Sequence, residues 1–177
     1  VAGFVNDYDN LLGVDTLSAG GTGKGDLFNG GEVLVKGLEV SGSFDLNHTL
    51  RSSLRLPVRF AYTLTDAHFR NTFDSKFGPW GNVVVGDELP YLPRHQFHAI
   101  LGVEQQRWRL ELEATAIGEM RITAGQGPIL PLEATDAYLA FNLSGEYGLT
   151  AEDQGVSLFV TVRNLTDNAY IVARRPA

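Results

Sequence analysis

Trp108-Arg109-Leu110-Glu111-Leu112-Glu113-Ala114-Thr115-Ala116-Ile117-Gly118-Glu119-Met120-Arg121 alternates from end to end. One set carries Trp108, Leu110, Leu112, Ala114, Ala116, Gly118 and Met120; the other carries Arg109, Glu111, Glu113, Thr115, Ile117, Glu119 and Arg121. A period of two is the signature of a β-strand, whose successive side chains leave opposite faces. One face of this strand is apolar and the other mostly charged. A soluble sandwich can show the same contrast, so the rest of the chain has to decide.

The same pattern returns on both sides. Leu38, Val40, Gly42, Phe44 and Leu46 alternate with Glu39, Ser41, Ser43 and Asp45. Leu54, Leu56, Val58, Phe60, Tyr62 and Leu64 alternate with a mixed set that includes Arg55 and Arg59. Phe97 to Val103, Ala137 to Tyr147 and Val156 to Val162 follow suit, and a weaker first strand spans about Ala2 to Val14. Seven strands result. Several run for ten residues or more, longer than the ~5–6 usual in globular sheets. A strand tilted across a bilayer needs ~9–11.

The connections alternate as well. Long ones are expected over Asp15–Asn29, Phe69–Leu89, Ile122–Ala134 and from Asn164 onward. Short ones are expected near Asn47–Ser52, Gln105–Arg107 and Gly148–Gln154. Outer-membrane barrels keep short turns on the periplasmic side and long loops outside. The expected fold is therefore all-β: an antiparallel transmembrane barrel, present as a partial wall of seven long up-and-down strands. Bacterial single-chain barrels use even strand numbers, so an eighth strand is expected beyond Ala177, and both ends read as cut.

Composition narrows the function. The chain has 177 residues, of which 44% are hydrophobic, an ordinary share. No run reaches the ~18 apolar residues of a spanning helix. The absence of cysteine removes disulfide frameworks, thiolate metal sites and cysteine nucleophiles. A net charge of -7 makes a poor nucleic-acid binder. Val1 to Leu12 has neither the basic start nor the apolar core of a signal peptide.

Five segments in order resemble the TonB-dependent receptors of outer membranes. They are Phe4-Val5-Asn6-Asp7-Tyr8-Asp9-Asn10-Leu11, then Gly30-Gly31 with Lys36-Gly37-Leu38-Glu39, and Tyr62-Thr63-Leu64-Thr65-Asp66-Ala67. Leu89-Pro90-Tyr91-Leu92-Pro93-Arg94-His95-Gln96 and Val162-Arg163-Asn164-Leu165-Thr166-Asp167-Asn168-Ala169-Tyr170 complete the series. Within that family the tail Val172-Ala173-Arg174-Arg175-Pro176 looks most like the ferric dicitrate receptor branch.

The resemblance implies a 22-stranded barrel around a plugged lumen. Residues 1–177 would then be the C-terminal part of the barrel, without the N-terminal plug or the last strand. The implied function is binding and import of a ferric chelate, a siderophore or ferric citrate, across a Gram-negative outer membrane. The implied partners are the lipid bilayer, the chelate, and the TonB complex reached through the plug. No enzyme activity, resident cofactor or nucleic-acid partner is expected. The rival is a small outer-membrane barrel acting as a structural anchor or adhesin; a barrel enzyme comes third.

Candidate residues follow. His68, Arg70 and Trp80 fall in or beside a long loop, where function concentrates. Arg174 and Arg175 fall in the last outside loop, and guanidinium donors suit an anionic chelate. His95 and His98 are three apart, which on a strand means opposite faces and no shared metal. Gly20-Gly21-Thr22-Gly23-Lys24-Gly25 faintly suggests a phosphate loop, but Gly25 follows Lys24 where Ser or Thr is required. It reads as a flexible outside loop. Ser52-Ser53 lacks a nucleophile elbow, and the charges on the Arg109 face read as a hydrated lumen wall. Trp108, Tyr147, Phe44 and Tyr62 are candidates for interfacial girdles.

Overall fold

A computed structural model of the chain describes residues 1–47, 54–149 and 155–174. Among them, numbering strands in chain order, the wall is one seven-stranded sheet. It comprises β1 (Ala2–Tyr8), β4 (Val33–Asp45), β5 (Pro57–Phe69), β8 (His95–Gln105), β9 (Trp108–Ile117), β12 (Tyr138–Gly148) and β13 (Ser157–Val162). Each strand pairs antiparallel with its neighbour in that order. Three small hairpins lie inside the long connections: β2 (Leu12–Val14) with β3 (Leu27–Asn29), β6 (Phe73–Asp74) with β7 (Asn82–Val83), and β10 (Met120–Arg121) with β11 (Ala134–Thr135).

The register turns the sequence alternation into rows. Phe44, Val58, Leu101, Leu112, Leu143 and Val162 stand side by side across six strands. The neighbouring row holds Ser43, Arg59, Ile100, Glu113 and Asn142. Because one residue along a strand is one change of face, these rows lie on opposite faces. The apolar face is bare: Leu101 is 50% exposed and Val160 66%. We call it outward and the polar face the lumen face. Ile100, Ile117 and Phe159 are apolar intruders on the lumen face.

Two expectations on strand ends need correction. The first strand stops at Tyr8, and Leu12–Val14 turns back to pair with Leu27–Asn29. The strand opened by Trp108 leaves the sheet after Ile117; Met120 and Arg121 belong to a loop hairpin. The pairing with β8 goes one rung further, the Gly118 N–H donating to the His95 carbonyl at 2.9 Å in the same register, before the chain leaves for the loop. The long and short connections fall at opposite ends of the sheet, as the meander requires. The tightest, Gln106-Arg107, joins β8 to β9. The stretch expected as the turn near Asn47–Ser52, and that near Gly148–Gln154, lie partly outside the described residues.

The hydrophobic core is not in the middle of the sheet. It sits at the long-loop end, on the lumen face, where Val33, Phe69, Phe77, Trp80 and Val83 are buried together. Phe28 stacks on Phe77 with ring centroids 4.2 Å apart and meets Trp80 edge-on at 4.7 Å. Trp80 also meets Phe69 at 5.1 Å. Such ring pairs add ~0.5–1.5 kcal/mol each beyond the area they bury. Backbone bonds carry the sheet upward through these loops: Leu89 to Ala67, Glu88 to Gly125, and Ile122 to Glu133.

Candidate functional site

The lumen face carries a network of charges. Arg59 pairs with Glu111 at 3.0 Å, Arg109 with Glu104 at 3.0 Å, and Arg55 with Glu104 at 3.1 Å and Asp45 at 3.5 Å. Glu113 accepts from Asn142 at 3.0 Å and contacts His98 at 2.8 Å. Exposed pairs of this kind contribute ~0–1 kcal/mol, so backbone pairing holds the wall and the charges keep its inner face wet. Glu113 is more engaged than a freely hydrated wall charge. Arg121 departs from that reading altogether: it is buried, pairs with Glu88 at 2.7 Å and donates to the Gly127 carbonyl. His95 and His98 do face opposite ways, His95 to the Tyr62 hydroxyl at 2.8 Å and His98 to Glu113.

At the long-loop end the faces exchange character. Val33, Val35, Ala67 and Phe69 point into the lumen side and pack under the loops. Lys36, Asp66 and His68 take the outward face, by the same parity as Leu38 and Leu64. Lys36 pairs with Asp66 at 3.1 Å, and His68 contacts Asp66 at 2.8 Å and the Gly86 carbonyl at 3.1 Å. Arg70 pairs with Asp7, which shares that face with Leu34 and His68. The same carboxylate raises the Arg70 pKa and fixes its charge. His68 and Arg70 are thus turned away from the lumen and held by acids of the wall.

Trp80 is at the loop end, as expected, but its ring fills the core and is only 8% exposed. The sequence signal for this was on the page: Phe69, Phe73, Phe77 and Trp80 recur every three or four residues. Arg174 is half-buried: one guanidinium nitrogen reaches the Leu132 carbonyl at 3.4 Å, and the Tyr91 hydroxyl donates to its backbone carbonyl. Burial raises the Tyr91 hydroxyl pKa, against the lowering effect of that hydrogen bond, which keeps it a donor. Arg175 lies outside the described residues, as do Ser52 and Ser53. Arg70 and Arg174 attach to different loops and do not form one cluster. A cavity of about 510 Å³ opens between the loop after β9 and the segment after β13, lined by Glu119, Ile129, Thr135, Asp136 and Tyr170 among others, with Arg174 outside its lining. Tyr170 stacks flat on Tyr138 with centroids 4.0 Å apart.

The glycine-rich loop is built, not loose. Asp15 is buried and accepts from the Thr22 hydroxyl, from the Thr22 N–H at 2.5 Å and from the Gly23 N–H at 3.2 Å. These donors, the Thr22 hydroxyl foremost, pull its pKa below the ordinary carboxylate value although burial pushes the other way. A cradle of N–H groups could hold a phosphate. Here the chain's own carboxylate fills it.

With wall, rows and loops in place, the comparisons agree. The family described as TonB dependent receptor-like, beta-barrel matches residues 1–165. The chain belongs to that family of outer-membrane transport barrels. Comparison with curated proteins and with solved structures gives no match.

Proposed function

We propose that the chain is a substrate-binding wall of an outer-membrane TonB-dependent transporter that imports a ferric chelate, and that ferric citrate is the ligand to test first. Its work is binding and gated passage, with TonB engaged through a plug region. The observation that carries the ligand class is Arg174: among the arginines expected to bind, Arg70 is neutralised by Asp7, while the Arg174 guanidinium meets the Leu132 carbonyl and no carboxylate among the described residues. A guanidinium with free donors at the loop end suits a polyanionic chelate. Arg175 is proposed beside it. We assign His68, Arg70 and Trp80 to supporting the loops around the site.

The test is a titration of the intact receptor with ferric citrate and with a neutral ferric chelate. A charge-assisted contact is worth ~1.5–3 kcal/mol, and ~1.4 kcal/mol is tenfold in affinity. Replacing Arg174 and Arg175 by Ala is expected to weaken ferric citrate binding at least ~10-fold and to leave the neutral chelate unaffected. Unchanged ferric citrate affinity would remove the role of the arginines. No binding by the unmodified receptor would remove the ferric citrate assignment and leave the family standing.

A further inference from the structure

We propose that a gap between β5 and the end of β9, beside residues 90–93, is a binding site for an amino-acid group, with Arg94 taking its carboxylate and Glu119 its ammonium. The proposal rests on the reading of the chain as a substrate-binding wall and names a group that the ligand carries there.

The gap comes from a mismatch in chain length. The Thr65 N–H donates to the Arg94 carbonyl at 2.9 Å, and the Leu89 N–H donates to the Ala67 carbonyl at 3.0 Å. Between these two rungs β5 has Asp66 alone, while the facing chain has Pro90, Tyr91, Leu92 and Pro93. The surplus residues cannot stay in the ladder. Pro90 and Pro93 have no N–H to donate, and the Tyr91 N–H turns away to the Arg121 carbonyl at 2.9 Å. Tyr91 sits at φ 58°, a left-handed conformation that a non-glycine residue holds only where its surroundings impose it.

A cavity of about 340 Å³ opens in this gap. Several polar residues of its lining are engaged: Arg121 with Glu88 at 2.7 Å and with the Gly127 carbonyl, Asp66 with Lys36 at 3.1 Å and His68 at 2.8 Å, and His95 with the Tyr62 hydroxyl at 2.8 Å. Thr65, Arg94 and Glu119 are left over. Thr65 is inward by register and only 8% exposed, yet its hydroxyl has no partner among the described residues. Buried polar groups are nearly always satisfied. The side chains of Arg94 and Glu119 are exposed and make no hydrogen bond or ion pair among the described residues, with each other included.

The leftover set fits one kind of ligand. A simple anion meets Arg94 but also faces Glu119, and a simple cation meets the reverse. A ligand that carries a carboxylate and an ammonium on one carbon satisfies both. The Arg94 guanidinium presents the planar fork that a carboxylate takes in two parallel bonds. The Thr65 hydroxyl donates to the same carboxylate, and Glu119 accepts from the ammonium. The rest of the ligand lies against Leu92, Met120 and Ile129, which also line the cavity.

The test is saturation-transfer NMR on the intact receptor in liposomes, with L-leucine, with N-acetyl-L-leucine, which lacks the ammonium, and with L-leucinamide, which lacks the carboxylate. Leucine is expected to bind saturably and each derivative at least ~10-fold more weakly, from the loss of one charge-assisted contact. Arg94→Gln is expected to weaken leucine by as much and to leave leucinamide unchanged. Glu119→Gln is expected to weaken leucine and to leave N-acetyl-L-leucine unchanged. No saturable binding of leucine by the parent receptor overturns the proposal. So do derivatives that bind as well as leucine, variants that bind leucine like the parent, and variants that lose all three ligands together. Ferric citrate, titrated on the same preparation, reports separately on the ferric chelate: bound where leucine is not, it removes this site and leaves that reading standing.

Discussion

The lower and upper parts of β4 and β5 obey the same alternation with opposite outcomes. From Phe44 to Leu38 and from Val58 to Leu64, apolar side chains face out, and the inward ones are polar but for Ala61. From Lys36 and Asp66 upward the outward face carries charges, with Leu34 among them, and Val33 and Phe69 are 0% and 1% exposed inside. Nothing in the backbone changes between the two storeys. What changes is the medium on each side: lipid outside and water inside below, water outside and packed loops inside above. A strand's parity gives two faces, and only the surroundings say which of them must be apolar.

If the upper storey owes its stability to an interior core, removing its central ring should be the most damaging change. Trp80→Ala is expected to destabilise the long-loop end by about 3–5 kcal/mol, with Trp80→Phe costing much less. Limited proteolysis of the 70–94 loop and denaturant unfolding of the intact receptor would show it. An Ala variant as resistant as the parent would mean that this core does not support the loops.

If the lower storey faces lipid, charge should be punished on one parity only. Leu112→Arg is expected to cost ~2–4 kcal/mol near the bilayer midplane, and Ser41→Arg, exposed on the lumen face, close to nothing. Glu113→Arg is not the neutral control that alternation alone recommends, because Glu113 holds both His98 and Asn142. Equal costs at Leu112 and Ser41, measured by unfolding in liposomes, would erase the assignment of faces.

The smallest effect sharpens the upper storey. The Asp15 pKa is depressed in the folded loop. Its contribution is therefore complete above the ordinary carboxylate value and is lost as pH falls through the depressed one. Protease resistance of the Thr16–Gly25 loop is expected to hold from pH 7 to about 4 and to fall only at stronger acidity. Asp15→Ala, which strands the Thr22 and Gly23 donors, is expected to make the loop sensitive at every pH. A loop that loosens already between pH 7 and 5 would point to a different titrating group.

The wall was legible in the sequence because lipid imposes one rule over many residues, and the outward positions from Leu38 to Leu46 and from Leu54 to Leu64 carry no charge. The loop end was not, because its core draws on scattered residues: Phe28, Phe69, Phe77 and Trp80 come from two connections and one strand end. Trp80 therefore read as a candidate contact when it is a packing residue. His68 and Arg70 were located at the right end of the strand, yet their direction depends on where the faces exchange character, which a continuous parity does not announce. Arg121 continued the alternation by number alone, past the end of β9 and into a loop hairpin. Asp15 gave no sign that it would organise the glycines after it, since the bonds span seven and eight residues.

The most direct test of the central claim, that this chain is a membrane wall with lipid on one face and water on the other, is an accessibility scan along β9. Nitroxides placed singly from Leu110 to Ile117 in the intact receptor, reconstituted in liposomes, are read with oxygen and with a water-soluble nickel complex. The account predicts a period of two: Leu110, Leu112, Ala114 and Ala116 favour oxygen, while Glu111, Glu113, Thr115 and Ile117 face the aqueous or plugged lumen and show no lipid signature. A scan without alternation, or with the odd positions in lipid, would contradict it.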